Sequence, residues 1–115
     1  MPGAGRLLEH FIAHKVPCAL ATSSNRVHFK LKTSRHTDLF NRVFSHMVTG
    51  DDVTNGKPHP EIFLKAASLF PDSPAPSATL VFEDSPNGIE AAIAGGFKSE
   101  CMRPPSPCLA PFLSL

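Results

Sequence analysis

The sequence lacks a long apolar run, a cluster of basic residues and a leader-like start. None of its apolar stretches approaches the roughly 20 residues that a membrane-spanning helix needs. Its 11 Lys and Arg residues are offset by 10 Asp and Glu residues, so a basic surface for nucleic acid or an anionic membrane is not expected. Residues 1–3 lack the basic start of a secretory signal. We therefore expect a cytoplasmic protein that binds neither nucleic acid nor membrane.

Cysteines are too few and too widely spaced for a disulfide framework or a zinc site. Cys18, Cys101 and Cys108 are an odd number and contain no Cys-x-x-Cys pair. Cys18 stands in an apolar run, and apolar surroundings raise the pKa of a thiol and suppress its reactivity. We expect it to be a small buried residue rather than a reactive one.

Strand-like and helix-like patterns alternate along the chain. Short apolar runs typical of strands buried on both faces of a parallel sheet occupy 17–22, 43–48 and 78–82. Apolar residues at helical spacing occupy 7–12 and 60–70, and 86–95 is typical of an Ala-rich helix. Two short helices are also expected around 27–31 and 35–41, although helix and strand periods compete there. This alternation predicts an α/β fold with parallel strands flanked by helices. A chain of 115 residues has room for one hydrophobic core.

Proline dominates the end of the chain. Pro104, Pro105, Pro107 and Pro111 fall within residues 98–115, where no usable periodicity is present. We therefore expect a folded core over 1–97 and a loose, disordered tail over 98–115.

Polar side chains follow the first predicted strand. Thr22 and Ser23 come directly after the apolar run and precede a helix. Ligands of open parallel sheets settle at the carboxyl ends of strands, where hydroxyls, backbone N–H groups and a helix amino-terminus can hold phosphate oxygens. The alternative is that Ser23 or Ser24 merely caps the helix.

A lysine and two carboxylates follow in later loops. Lys57 lies between Gly56 and Pro58, where a fixed ammonium could offset phosphate charge, although an exposed loop lysine is the simpler interpretation. Glu83 and Asp84 follow the strand at 78–82, and paired carboxylates suit Mg²⁺. Asp84 or Ser85 could instead cap the next helix, which begins near Pro86.

The order of these motifs resembles the haloacid dehalogenase superfamily. The motifs are LATSS at 20–24, GKPHPE at 56–61 and VFEDSPNG at 81–88. The segments PGAGRLLEHF, FKLKTSRHTDLF and FSHMVTGDD look like the pseudouridine 5′-phosphatase branch of that superfamily, and the likeness covers residues 2–97. It implies a partial Rossmann-like haloacid dehalogenase core over 1–97.

The resemblance also implies a chemistry. Members hydrolyse phosphomonoesters with Mg²⁺ through an aspartyl-phosphate, here of a phosphorylated nucleoside-like small molecule such as pseudouridine 5′-phosphate. In this chain Thr22 and Ser23 would bind phosphate and Lys57 would bind it and neutralise charge. The residues that would hold the metal are Glu83 and Asp84.

One element of the family pattern is missing from these residues. Members begin with a strand that ends in Asp-x-Asp, whose first Asp is the nucleophile, followed by an inserted cap. No Asp-x-Asp occurs in this sequence. We expect little or no turnover by this chain alone, because loss of the nucleophile from a covalent mechanism costs on the order of a millionfold.

Three hypotheses about this chain therefore stay open. It is a truncated product without independent function, a non-catalytic interaction module, or half of an enzyme that a complementing core chain completes. The family's first strand lies between the strands at 17–22 and 78–82, so we expect either direct pairing of these two or a gap with open edges.

Overall fold

The computed structural model describes residues 4–35 and 37–102 as alternating helices and strands. The helices are α1 Ala4–Ala13, α2 Arg26–Thr33, α3 Thr37–Val43, α4 Glu61–Ser68 and α5 Pro86–Ala94, and the strands are β1 Cys18–Ala21, β2 Phe44–Val48, β3 Leu80–Glu83 and β4 Lys98–Cys101. The predicted α/β class is confirmed. Across the described residues, no helix has the length and apolar character needed to cross a membrane.

The strands form two parallel pairs rather than one continuous sheet. β1 pairs with β2, so that Leu20 lies opposite Met47, and β3 pairs with β4, so that Val81 lies opposite Ser99. Within the part of the chain that the structure describes, no ladder joins β1 to β3. Each of these two strands therefore has one edge without a strand partner among the described residues, so of the two expected alternatives the gap is observed and direct pairing is not.

Helices α4 and α5 hold the two strand pairs together. α4 packs on β1 and β2, α5 packs on β3 and β4, and the two helices contact each other. Buried side chains from these helices, from β2 and β3 and from the turn before β4 form one hydrophobic cluster. It consists of Val48, Ile62, Phe63, Ala66, Ala67, Val81, Ala91, Ala92 and Phe97. Because this core spans both pairs, it fixes β1 relative to β3 even though no strand lies between them.

The predicted loose tail was wrong for its first residues. Lys98–Cys101 forms β4, with Ser99 and Cys101 buried and the partner strand supplying backbone hydrogen bonds. The local sequence is too polar to signal a buried strand, so the pairing with β3 decided the outcome. The proline cluster of the tail prediction, and Cys108, lie outside the described residues.

The first strand is less buried than its apolar sequence indicated. All four residues of β1 are only half-buried, including Cys18, because β1 has a neighbour on one edge alone among the described strands. Burial still raises the pKa of the Cys18 thiol. The expected burial of Cys18 is therefore only partial, and the low reactivity of its thiol stays a prediction.

The carboxylate of Asp52 ties the end of β2 to the start of α2. It accepts hydrogen bonds from the backbone N–H of Thr49 at 2.8 Å and from the Thr49 hydroxyl at 3.0 Å. The Arg26 guanidinium donates to both of its oxygens at 2.9 Å. The Thr49 backbone N–H and then Arg26 lower the pKa of Asp52 to about 2. This junction positions the loop that follows β1.

We expect the Asp52 junction to stabilise the protein above about pH 4 and to be lost as the pH falls toward 2. The pKa of Asp52 is about 2 when folded, against an ordinary value of 3.8, so its stabilising contribution disappears through that interval. Denaturant unfolding of wild-type and Asp52→Asn proteins from pH 2 to 7 measures this. The difference between them should shrink below pH 4, and a constant difference would contradict the assignment. Arg26→Met retains the Thr49 donors, so it should narrow the pH interval over which the stabilisation is lost without abolishing that loss.

Candidate functional site

A cleft lies at the carboxyl ends of β1 and β3. Its volume is about 580 Å³. The residues that line it are Leu20, Ala21, Thr22, Ser23, Ser24, Phe29, Phe40, Lys57, Glu83, Asp84, Ser85 and Asn87. The structure thus brings together every site residue predicted from the sequence, although these residues are scattered over more than sixty positions of the chain.

Lys57 bridges the two strand ends across this cleft. Its Nζ lies 3.1 Å from Glu83 Oε1 at the end of β3 and 3.4 Å from the carbonyl oxygen of Ala21 at the end of β1. The ammonium also lies 5.0 Å from the centre of the Phe63 ring, within cation–π range. The Lys57 and Glu83 side chains are only 9% and 13% exposed. Lys57 is therefore a buried, fixed charge and not the exposed loop lysine of the simpler interpretation.

Ser85 binds the second carboxylate oxygen of Glu83, and Gly88 leaves room for this carboxylate. The Ser85 hydroxyl donates to Glu83 Oε2 at 2.9 Å, and it accepts the backbone N–H of Gly88 at 3.1 Å as the N-cap of α5. A Cβ on Gly88 would overlap the Glu83 carboxylate. Both oxygens of Glu83 are therefore engaged, and only glycine leaves room for the carboxylate in this position.

Asp84 has a different environment from its neighbour Glu83. Its side chain is exposed and lines the cleft. Ser85, one residue later, caps α5, so the alternative that Asp84 is the helix cap was wrong. The two adjacent carboxylates are thus separated in role: Glu83 is paired with Lys57, and Asp84 faces the solvent of the cleft.

The loop after β1 is held by backbone hydrogen bonds to the end of β2 and the residues that follow it. The backbone N–H of Thr22 donates to the Val48 carbonyl at 3.0 Å, and that of Gly50 donates to the Ser24 carbonyl at 3.0 Å. A Cβ on Gly50 would overlap the carbonyl oxygen of Ser23. This close approach fixes the Thr22–Ser24 loop against the end of β2.

The helix cap beside this loop is Asn25. Its side chain accepts the backbone N–H of His28 at 2.8 Å, so the alternative that Ser23 or Ser24 caps α2 was wrong. The exposed hydroxyl of Ser23 faces the cleft, and Thr22 Oγ1 accepts the backbone N–H of Ser24 at 3.2 Å. The loop thus presents hydroxyl and N–H groups at the same strand edge as Lys57.

A divalent cation would find a partial ligand set here. In the described ranges, no three His, Cys, Asp or Glu side chains cluster as metal ligands. Mg²⁺ usually keeps several waters and uses one or two carboxylates together with substrate phosphate. Asp84 fits that requirement, whereas Glu83 would have to exchange Lys57 and Ser85 for the ion.

Several of these groups were not predicted to belong to the site. Gly88 and the Ala21 carbonyl were not predicted to take part, and Ser85 was predicted only as one of two possible helix caps, since a serine before proline indicates a helix start. Contact between Lys57 and Glu83 was also not predicted. It joins residues 26 positions apart, and local sequence carries no information about such a pair.

Comparison with known proteins places the chain in a family of hydrolases. The haloacid dehalogenase-like hydrolase family matches residues 1–96. The chain is 54% identical over 101 residues to a probable pseudouridine-5′-phosphatase of Drosophila melanogaster, covering 85% of this chain and 43% of that protein. It is 48% identical over 99 residues to (DL)-glycerol-3-phosphatase 1 of Arabidopsis thaliana, a mitochondrial protein, covering 84% of this chain and 33% of that one.

A solved structure agrees with these matches. A family IA haloacid dehalogenase hydrolase of Entamoeba histolytica superposes with a TM-score of 0.75 at 27% identity, over 87% of this chain and 44% of that chain. The chain thus spans less than half of the length of these relatives. The predicted resemblance is confirmed, and the chain belongs to the haloacid dehalogenase-like hydrolase family.

Proposed function

We propose that the cleft binds the phosphate group of a small phosphomonoester, as one half of a phosphatase site. The observation that carries this proposal is the position of Lys57, whose buried ammonium lies between the ends of β1 and β3. Thr22 and Ser23 line the same cleft and supply hydroxyl and backbone donors. A fixed cation beside such donors matches the requirements of a phosphate site.

Each residue has a separate task in this proposal. Ser23 and the backbone of the Thr22–Ser24 loop hold phosphate oxygens, and Lys57 offsets the charge on them. Glu83 keeps the ammonium of Lys57 aimed at the cleft through the contact of 3.1 Å. Asp84 is the carboxylate available to Mg²⁺, with Glu83 as a second ligand only if it releases Lys57. When bound, the ion would polarise a phosphoryl oxygen as a Lewis acid.

The substrate class follows from the relatives together with the cleft. One relative is described as a pseudouridine-5′-phosphatase and another as a glycerol-3-phosphatase. Both names refer to phosphatases that act on small phosphomonoesters. We propose a phosphorylated nucleoside-like molecule, because the relative with that name shares the higher identity, 54% against 48%.

Turnover by these 115 residues alone is expected to be little or none. The sequence holds no Asp-x-Asp pair to supply an attacking carboxylate. Loss of the nucleophile from a covalent mechanism lowers kcat on the order of a millionfold, whereas binding residues retain part of their effect. We therefore separate phosphate binding, which is expected, from phosphate release, which is not.

Phosphate binding is tested by titrating the chain with inorganic phosphate and Mg²⁺ and following the ³¹P or backbone amide signals. Wild-type protein should bind phosphate, and Ser23→Ala should weaken the affinity severalfold by removing one donor. Ser77→Ala, an exposed serine before β3, is the matched control and should have no effect. Equal affinities for Ser23→Ala and Ser77→Ala, or no binding by wild-type protein, would refute the proposal.

Phosphate release is measured in parallel with pseudouridine 5′-phosphate and glycerol 3-phosphate. We expect no release above background with or without Mg²⁺. Release that disappears both in Asp84→Asn and without metal would show that another group in this chain serves as nucleophile, and it would overturn the expectation of inactivity.

A second candidate function is that of half of an enzyme, which another core chain completes. The two separate strand pairs favour it, since β1 and β3 each have an edge without a strand partner among the described residues. Open edges of this kind accept an added strand or cause aggregation. The partner would supply a strand between β1 and β3 together with the attacking carboxylate.

Mixing experiments test this candidate. The chain is combined with the part of the Drosophila relative to which it does not align, and mass and phosphate release are followed by light scattering and a phosphate assay. A one-to-one complex that releases phosphate only after mixing is expected. A monodisperse monomer that does not bind the added part would eliminate the half-enzyme hypothesis.

A further inference from the structure

Lys57 lies in the loop that directly precedes α4. The loop runs from Val53 to Pro60, and α4 begins at Glu61. The Lys57 side chain is held at its far end by Glu83 and the Ala21 carbonyl. Its usefulness in the cleft therefore depends on where the loop places its backbone.

The side chain of Glu61, which follows this loop, binds two residues at its start. Its Oε2 accepts the backbone N–H of Thr54 at 2.6 Å. Its Oε1 accepts the backbone N–H and the side-chain Nδ2–H of Asn55, each at 3.2 Å. Both carboxylate oxygens are thus committed to the residues that precede Lys57, and the chain between Asn55 and Glu61 forms a closed ring that carries the lysine.

These hydrogen bonds keep Glu61 ionised. The N–H of Thr54, followed by the donors of Asn55, lowers the pKa of the Glu61 carboxyl. A charged acceptor makes stronger hydrogen bonds than a neutral one. The loop is therefore held by charge-assisted bonds at neutral pH.

The position of Lys57 matters because its ammonium contacts two acceptors at the same time. Nζ must satisfy Glu83 and the Ala21 carbonyl at once, at 3.1 and 3.4 Å. Displacement of a charged group by about 1 Å in such a site has large effects on binding and catalysis. A loop free to move at Thr54 and Asn55 would carry Lys57 out of this geometry.

We infer that Glu61 is a positioning residue, whose carboxylate clamps the backbone of Thr54 and Asn55 so that the Lys57 ammonium is presented to Glu83 and to the phosphate-binding cleft. The part that concerns phosphate rests on the proposed function. The part that concerns Lys57 does not, and it can be tested separately.

A purely structural role for Glu61 makes different predictions. An acidic residue in the first turn stabilises a helix through its macrodipole wherever the helix lies. In that case, removal of the carboxylate would lower stability without a specific effect on Lys57. The same helix offers a matched control, since Lys65 also ties α4 to the preceding chain by donating to the Asp52 carbonyl at 2.7 Å.

The first experiment measures the accessibility of the Lys57 amine. Wild-type, Glu61→Gln, Glu61→Ala and Lys65→Met proteins are acetylated under native conditions, and labelling is quantified by mass spectrometry relative to exposed Lys30. In wild-type protein Lys57 should react about tenfold or more slowly than Lys30, because it is buried and paired. Glu61→Ala should remove most of this protection, Glu61→Gln should remove part of it because one acceptor oxygen remains, and Lys65→Met should leave it intact.

Thermal melting of each variant separates positioning from general loosening. If Glu61→Ala is too unstable, Glu61→Gln carries the comparison, since it preserves the side-chain shape. Protection of Lys57 lost equally in Glu61→Ala and Lys65→Met would overturn the inference. Labelling of wild-type Lys57 as fast as that of Lys30 would also overturn it.

The second experiment connects Glu61 to phosphate through Lys57. Glu61→Ala should weaken inorganic phosphate binding about as much as loss of the lysine does. It should have no further effect in a Lys57→Met/Glu83→Gln background, because interacting residues are non-additive. If Lys57 labelling responds to Glu61 but no variant binds phosphate, the clamp stands and the proposed function falls. If phosphate binds and Glu61→Ala changes neither readout, the clamp falls alone.

Discussion

Replacement of Lys57 by Met is expected to lower the free energy of unfolding by about 3–5 kcal/mol, the range for breaking a buried ion pair by removing one partner. The reason is Glu83, whose carboxylate lies 3.1 Å from the ammonium and is only 13% exposed. Without the lysine, a buried negative charge would retain, among the described residues, only the Ser85 hydroxyl as a side-chain donor. Denaturant unfolding of both proteins at pH 7 measures the loss.

Two further variants show whether the loss comes from the orphaned carboxylate. Lys57→Met/Glu83→Gln removes the charge as well as its partner and should recover much of the stability, because a neutral amide costs less to bury. Arg42→Met breaks the exposed pair between Arg42 and Glu9, where both side chains are 57% exposed, and should cost about 1 kcal/mol or less. Similar losses for Lys57→Met and Arg42→Met would contradict the burial of the cleft lysine.

Ile89→Ala is expected to lower the free energy of unfolding by about 2–5 kcal/mol. Ile89 lies in α5 with 0% exposure, so truncation to Ala leaves a cavity in the buried interior. Thermal or denaturant unfolding measures the effect. The loss would shift the whole protein, because α5 belongs to the core that joins the two strand pairs.

Ile93 on the same helix provides the matched control. It is 45% exposed, so Ile93→Ala removes the same atoms with the same change in helix propensity and should cost much less. Equal losses at the two positions would mean that α5 does not pack as described.

Elements with strong local patterns were predictable. α4 combines an apolar face at helical spacing with a proline before its start, and its residues Ile62, Phe63, Ala66 and Ala67 are buried as that pattern indicates. β4 was missed because the residues Lys98–Cys101 have no apolar run, and their strand conformation depends on β3. Strand pairing is a tertiary interaction, so it cannot be predicted from the local sequence of these four residues.

The candidate site divides in the same way. Thr22, Ser23, Glu83 and Asp84 were predicted from their residue types and their positions after strands, and Lys57 was predicted from its constrained loop. The contact between Lys57 and Glu83 was not predicted, because local sequence does not distinguish a buried loop lysine from an exposed one. For the helix caps, the sequence left Ser23 or Ser24 open for α2 and Asp84 or Ser85 open for α5, whereas the structure has Asn25 and Ser85. A run of adjacent polar residues offers several equivalent caps, and backbone geometry selects one.

Local patterns were enough to predict the alternation of helices and strands and the polar residues at the strand ends, and the resemblance of the ordered motifs indicated the family. Long-range contacts set the rest: the strands form two separate pairs, β4 exists, and Lys57 joins the ends of β1 and β3. Burial, strand pairing and ion pairing depend on residues far apart in the chain, because packing of the α4 and α5 core sets the distances between them.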